Sequence, residues 1–349
     1  TLKAGAIRGT GASSDAITVH STDGTFSGNI TNRPNKNALI NGGMQIAQRA
    51  SSNTAINTYG PLDRWRTIGG PMGFTITQVT DATNYPNTHY ALKAHRTAGN
   101  TQEYDLGVVQ GIETLNSRPF AGKQVTFSFR ARVGANFSGP SSVLKALIWT
   151  GTGTDDNPAN MTNHNSTSQT DITVSTTATK YSVTYTIPSS ATQITCGVFY
   201  QCRGTAGAND WFEITDCQFE LGSVPSDFGY CDFQSELARC QRYCWVQGEG
   251  NWSTFAQGTV AGSNSWEGQA RLPVTMRAKP SVTVSGTTRV WDAGGATNAS
   301  ATGTDSGAST KDGVWHTATC SGASFTTGRS SLWGASNDSS ARVTYSAEL

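Results

Sequence analysis

Along residues 125–202 apolar and polar side chains alternate with a period of two. Val125, Phe127, Phe129, Ala131 and Val133 interleave with Thr126, Ser128, Arg130 and Arg132. Tyr181, Val183, Tyr185 and Ile187 do the same against Ser182, Thr184 and Thr186 until Pro188 stops the run, and Ile194, Cys196, Val198, Tyr200 and Cys202 form a third stripe. Alternation of this kind turns one face of a strand to a core and the other to water. Phe74 with Ile76, the run Val143 to Trp149, and Phe212 with Ile214 add shorter candidates between Gly, Asn, Asp and Ser clusters. Many short strands with almost no helical periodicity predict an all-β fold, an antiparallel jelly-roll-like sandwich over 35–231.

One segment departs from this pattern. Across 232–247, Phe233, Leu237, Cys240 and Cys244 recur at spacings of four, three and four, and Asp232 or Ser235 can cap the free amides of a linking helix. Such a helix is too short to stand alone. Its stripe must dock on the sandwich or on symmetry copies of itself, which makes these four the candidate oligomerisation residues. Before the sandwich, 1–34 is polar and Gly-rich, and Ile17 and Val19 followed by Asp23-Gly24 predict an extended or β-hairpin attachment segment. After the helix, 248–349 reads as a small β-rich tip domain, with strands expected at Gln269 to Met276, Ser281 to Val284 and Arg342 to Ala347. Its aliphatic content is thin for a core of its own, which favours burial of further surface against partner chains.

Composition narrows the function. Charged residues make up 14% of the 349, against about 25% in an average soluble protein, and about a third of the chain is Gly, Ser or Thr. With 36% hydrophobic residues the chain is neither a coiled coil nor disordered. Twenty-five basic and 24 acidic residues leave a formal charge of +1, so no field draws in nucleic acid or anionic lipid. No run approaches the roughly 20 apolar residues that cross a bilayer, and Thr1 to Gly11 lacks the apolar core of a secretory signal. The chain opens on Thr rather than Met, and a short preceding piece is expected. Seven cysteines, an odd number with no C-x-x-C pair, are expected to be reduced and buried.

The search for chemistry gives few candidates. Five histidines (His20, His89, His95, His164, His316) stand apart, with no G-x-S-x-G, H-E-x-x-H or P-loop. Glu213, Asp216 and Glu220 are the one carboxylate cluster; a regular strand would turn Glu213 and Asp216 to opposite faces, so no enzyme is expected. Asp155, Asp156 and Asn157 follow Gly151-Thr152-Gly153-Thr154 and offer hard oxygen ligands compatible with Ca²⁺, although a polar Asx turn accounts for them more simply. No other cofactor is expected. Sugars are bound by aromatic faces with amides and hydroxyls alongside. Trp291, Trp315, His316 and Trp333, with Trp252, supply that set in the C-terminal unit, and six of the nine Trp lie at or beyond the helix. Such rings also fill the core of a small β-domain, and the residues alone leave both roles open.

Several motifs then combine. Asn37-Ala38-Leu39-Ile40-Asn41-Gly42-Gly43-Met44, Asp63-Arg64-Trp65, Gln218-Phe219-Glu220-Leu221-Gly222-Ser223-Val224 with Phe228, Glu236-Leu237-Ala238-Arg239-Cys240-Gln241-Arg242-Tyr243, Arg271-Leu272-Pro273-Val274-Thr275-Met276-Arg277 with Pro280, and the closing Ala347-Glu348-Leu349 occur in this order. The series resembles appendage proteins of tailed bacteriophages, in particular the tail fibres of cyanophages, over roughly 36–349. The resemblance implies a non-enzymatic virion protein, a homotrimer assembled in the host bacterial cytoplasm, whose sandwich is similar to carbohydrate-binding modules. Its expected partners are other virion proteins, through the N-terminal segment, and host surface glycan. A purely structural virion component and a secreted bacterial carbohydrate-binding adhesin are the alternatives.

Overall fold

The computed structural model describes residues 36–292, 307–320 and 324–349 in full, and beyond these the backbones of Ala6–Ile7, Ile17–Val19, Phe26–Gly28 and Ser300–Asp305. The first three of those strands, β1 to β3, form a small antiparallel sheet in which Ile17 pairs with Gly28 and Val19 with Phe26. The Asp23-Gly24 turn lies outside the described residues.

A two-sheet sandwich follows. Its strands are β4 (Ser52–Asn53), β5 (Arg66–Gly69), β6 (Phe74–Thr80), β7 (Tyr90–Arg96), β8 (Asp105–Ile112), β9 (Gln124–Val133), β10 (Val143–Gly151), β11 (Gln169–Thr173), β12 (Thr179–Thr186), β13 (Gln193–Gln201) and β14 (Trp211–Leu221), with one helical turn, α1 (Thr114–Ser117), after β8. One antiparallel sheet has the order β11-β10-β13-β8-β5 and the other β12-β9-β14-β7-β6-β4. Period-two stripes become the inner faces. Val125, Phe127, Phe129, Ala131 and Val133 of β9 meet Ile194, Cys196, Val198 and Tyr200 of β13 in one core, joined by Phe212, Ile214 and Phe219 of β14.

The linking helix α2 (Phe233–Gln241) starts as expected, with the Asp232 carboxylate accepting the Ser235 N–H at 3.1 Å. It ends earlier than the spacing predicts. Cys244 belongs instead to β15 (Cys244–Gln247), which pairs with β23 (Arg342–Ser346) and stacks Trp245 on Tyr345 at 5.0 Å. A further helical turn would forfeit that ladder, so tertiary pairing overrides the local period. Between them lie β16 (Thr254–Gly262), β17 (Ser265–Arg271), β18 (Ser281–Ser285), β19 (Thr288–Asp292), β20 (Ser300–Asp305), β21 (Gly313–Cys320) and β22 (Ser330–Ala335). Six of these close a barrel, β16-β17-β21-β20-β19-β22, while β15, β23 and β18 form a sheet beside it. The expectation of an underfilled core is corrected here. Trp266 and Trp333 are fully buried with centroids 6.0 Å apart, and Phe255 and His316 pack on Trp333 at 5.3 and 4.9 Å, so rings supply the volume that aliphatic residues do not.

Residues of several of the motifs meet where sandwich, helix and C-terminal unit join. Asn41 donates from Nδ2 to the carbonyls of Ile46 (2.8 Å) and Asp63 (3.1 Å), while its own carbonyl accepts the Trp65 indole N–H at 3.1 Å. Glu236 of α2 accepts the Asn41 N–H. Arg64, 1% exposed and at φ +71°, donates to Glu348 and to the Gly111 carbonyl (2.8 Å), with its guanidinium 3.5 Å from the Tyr243 ring centroid. Arg49 reaches the same Glu348 carboxylate at 2.8 Å. Arg277 donates to the carbonyls of Ala347 and Glu348, both at 2.8 Å. A buried cation held at positive φ costs free energy that only dense pairing of this kind offsets.

Candidate functional site

The outer face of the six-stranded sheet carries a pocket of about 500 Å³. Ser128 and Arg130 of β9, Lys180 of β12 and Asp216 of β14 form its floor and wall, Asn87 enters from the β6–β7 connection, and Asp227, Phe228 and Tyr230 come from the segment that follows β14. That segment is clamped to the sheet. Gln218 Nε2 donates to Ser226 Oγ (3.1 Å) and its Oε1 accepts the Gly229 N–H (2.7 Å); Glu220 accepts the Ser226 N–H and hydroxyl at 2.9 and 2.6 Å; Lys180 Nζ donates to the Ser226 carbonyl at 2.6 Å. These bonds hold Phe228 and Tyr230 beside the sheet, and Tyr230 is 60% exposed. A large aromatic in such a position loses little freedom when a ligand stacks on it, because its backbone is already fixed.

Asp216 reaches this pocket through an irregularity in β14. Thr215 pairs with Arg130 and Gln218 with Ser128, so one extra residue is inserted, and Asp216 sits at φ +50°. The expectation that Glu213 and Asp216 point to opposite faces is thereby overturned: the bulge resets the alternation, and both lie on the outer face. Burial pushes the Asp216 carboxyl above the usual carboxylate range, against the pull of Arg130 with its Nε 3.7 Å away. Glu213 is committed differently. Its Oε2 accepts from Tyr85 OH (2.8 Å) and Arg132 Nε (2.7 Å), with Lys93 Nζ 3.8 Å from Oε1, and Lys93 also lies 4.2 Å from the Trp211 ring centroid. A carboxylate tied to a phenol and two cations supports the sheet surface beside the pocket.

The residues singled out from the sequence separate into two groups. Trp333 and His316 are buried inside the barrel, His316 Nε2 lying 3.0 Å from the Tyr345 hydroxyl, so neither presents a face to ligand. Trp291 and Trp315 are partly exposed on the barrel's outer side, and Trp252 is 51% exposed. Of the helix stripe, Cys240 and Cys244 are buried in the junction and Phe233 is 49% exposed, with Leu237 between these extremes. The four residues therefore do not form one surface. In the acidic loop, Asp155 accepts the Thr114 N–H (2.8 Å) and pairs with Arg277 (3.1 Å), Asp156 accepts the Thr162 N–H (2.8 Å), and Asn157 accepts the Ala159 N–H (3.0 Å). Each of these side chains serves a protein partner. Among the described residues no group of three or more His, Cys, Asp or Glu converges as metal ligands do.

Sequence reasoning passed over Asn87, Arg130, Lys180, Asp227 and Tyr230. A signal was present in Phe228-Gly229-Tyr230, two aromatics in a Pro- and Ser-containing stretch just past a strand end, where they have no alternation to bury them. The sheet face they cover is visible only once β9, β12 and β14 are in register.

No protein-family model matches the chain, and no curated protein sequence matches it. Solved structures to which it is similar include the enzymatically active domain of tailspike protein 4 of bacteriophage CBA120, at 14% identity and a TM-score of 0.35, covering 54% of this chain and 22% of that one. TmCBM61, solved with β-1,4-galactotriose, is similar at 16% identity and a TM-score of 0.33, covering 53% of this chain and 99% of the module. The CBM22-1–GH10 modules of Clostridium thermocellum endo-1,4-β-D-xylanase 10B, solved with xylohexaose, are similar at 14% identity and a TM-score of 0.31, covering 54% of this chain and 30% of that one. The chain thus spans about a fifth of the length of the tailspike domain and the whole of the shorter module.

Proposed function

We propose that this chain is the glycan-binding subunit of a tailed-phage virion appendage, a non-enzymatic homotrimer that attaches to the host cell surface. The observation that carries the glycan reading is the pocket on the six-stranded sheet. It joins an exposed Tyr230 ring, able to take the C–H face of a sugar, to the carboxylate, amide and guanidinium groups of Asp216, Asn87 and Arg130, which pair with hydroxyls. Single sites of this kind bind weakly, and three per trimer repeated over several appendages raise the effective affinity by about 10²–10⁴. The virion reading is supported by the order of the motifs, several of whose residues meet in one junction. Exposed Leu221, Val224 and Phe233, close together in the chain around the clamp, support contact with other copies. The N-terminal segment would join the subunit to other virion proteins.

The decisive experiment compares wild type and Tyr230→Ala on an array of bacterial surface polysaccharides and in sedimentation equilibrium. Expected are a trimer in both cases and a loss of about tenfold in glycan affinity in the variant, the scale of one stacking contact. A stable monomer removes the appendage reading. Binding unaffected by Tyr230→Ala removes the pocket.

A further inference from the structure

The charges on the floor of the sheet pocket are unevenly committed. Lys180 of β12 and Arg130 of β9 stand directly opposite each other in register, and the next strand, β14, brings Asp216 beside Arg130. Like charges placed opposite each other on neighbouring strands destabilise a sheet. Elsewhere on the same face the cations are paired: Arg132 is held by Glu213 at 2.7 Å and by Asp81 at 2.9 Å. In the pocket they are not. Lys180 Nζ donates to the Ser226 carbonyl at 2.6 Å and forms no ion pair among the described residues. Arg130 donates from Nη1 to the Ala178 carbonyl at 3.3 Å, and its Nε stands 3.7 Å from Asp216, beyond hydrogen-bond distance. Its Nη2 makes no hydrogen bond among the described residues.

The other charged groups nearby leave this pair as it is. Glu220 is buried and bonded to Gln218 and Ser226. Asp227 is exposed to water, and Lys36 adds a third cation to its segment, donating to Ser226 Oγ at 2.9 Å and to the Asp227 carbonyl. Across β12, β9 and β14 the floor therefore runs cation, cation, carboxylate over about 10 Å, two strand spacings on one face of an open sheet. A neutral sugar meets that polarity with hydroxyls alone. A hexuronic acid matches it from end to end. Its carboxylate, on one side of the ring, takes charge-assisted hydrogen bonds from Lys180 and from Arg130 Nη2. Hydroxyls on the opposite side donate to Asp216, whose charge turns the acid group away from that end and so fixes the direction of the ring. Tyr230 keeps the C–H face.

We infer that the pocket selects an acidic sugar, a hexuronic acid residue of a surface polysaccharide, whose carboxylate is taken by Lys180 and Arg130. The inference rests on the reading of the pocket as a glycan site and adds to it the class of sugar. It is tested with the full chain on an array of neutral and uronate-containing bacterial polysaccharides. Each acidic polymer is also presented after reduction of its carboxyl groups to primary alcohols, and dextran sulfate serves as a polyanion without carboxylates. The expected result is binding to a uronate polymer about tenfold or more tighter than to its reduced twin, the scale of one hydrogen bond to a charged group. Lys180→Gln and Arg130→Gln should lose that preference while holding the reduced polymer as the wild type does. Lys180→Arg, which keeps the charge and a donor for the Ser226 carbonyl, should retain it, and unchanged melting temperatures check the fold of all three. Equal binding of native and reduced polymers overturns the inference, as does a preference that survives both Gln variants, an equal loss of both polymers in those variants, or dextran sulfate bound as tightly as the uronate polymer. Tyr230→Ala judges the glycan reading separately: if it weakens whatever glycan does bind, neutral or reduced, the pocket stands without its acid selectivity. If no glycan binds, or Tyr230→Ala leaves binding intact, both fall.

Discussion

Replacing Glu348 by Gln should loosen the C-terminal unit from the sandwich. In the wild type this carboxylate, its side chain 7% exposed, accepts from Arg49 at 2.8 Å and from the fully buried Arg64. The amide keeps the shape and removes the charge, leaving Arg64 with the Gly111 carbonyl and the Tyr243 ring as compensation. Breaking a buried pair by removing one partner costs about 3–5 kcal/mol, because the remaining ion stays out of water unpaired. An exposed pair would cost about 0–1 kcal/mol. For units of 150–250 residues each kcal/mol moves the melting temperature by about 2–4 °C, which places the expected fall at about 6–20 °C. Chemical denaturation gives the free energy, and proteolysis of the 242–253 stretch under native conditions reports detachment directly. High salt should not close the gap between variant and wild type, since a buried pair is poorly screened. In an Arg64→Met background the same Glu348→Gln change should cost less, the difference being the coupling between the two. A loss below about 1 kcal/mol in the single variant, with no coupling, would refute the assignment of Glu348 as the counter-ion of the junction.

Asp216→Asn separates stability from binding: Asn tolerates positive φ and carries no charge to bury. Because the folded Asp216 carboxyl is raised, its stabilising share is complete below the unfolded value near 4 and is lost as pH rises through the folded value. The variant should therefore melt higher than wild type at pH 7 and converge with it below about pH 4, while binding glycan more weakly; melting curves across that range check it, and a variant less stable at pH 7 counts against it. Trp333→Ala should cost about 3–5 kcal/mol in unfolding of the barrel, whereas Trp333→Phe should cost less, since the buried indole N–H has no acceptor among the described residues and its removal strands no partner there. Asp338, held down to about 2 by hydrogen bonds from Ser340 and Thr287, contributes stability that is present above its unfolded value and lost as pH falls toward 2; Asp338→Asn should flatten the acid limb of the barrel's melting profile between pH 4 and 2, and an unchanged limb would show that other groups set it.

What the sequence disclosed and what it hid follow from the range of the forces involved. The inner face of β9 was legible because a period of two assigns each side chain to a face without reference to any other strand. Asp216 was misplaced because a single inserted residue, invisible in composition, reverses that assignment for everything beyond it. Cys244 read as the end of a helix because its spacing fits; its actual strand depends on Ser346, its partner a hundred residues later in the chain. The tryptophans show the limit most plainly. Trp333 and Trp252 both stand among small polar residues, yet one is the centre of a closed barrel and the other half exposed, and only the pairing of β16, β19 and β22 separates them. The motif residues were recognisable by their order, but their convergence on Arg64 and Glu348 is a property of the fold.

The junction also sets a timetable. Arg64 and Glu348 are 284 positions apart, and Arg49 and Glu348 are 299. At about 5–20 residues per second on a ribosome, the arginines wait on the order of 15–60 seconds for their counter-ion to be made. Through that interval the sandwich can close its own core, since the stripes of β9, β13 and β14 lie wholly before residue 222, but the Asp63-Arg64-Trp65 corner stays electrically unfinished. Only a chain translated through Glu348 can neutralise it. Ribosomal products that stop short would carry an open, cationic seam in place of the junction, a ready mark by which cellular quality control could remove them.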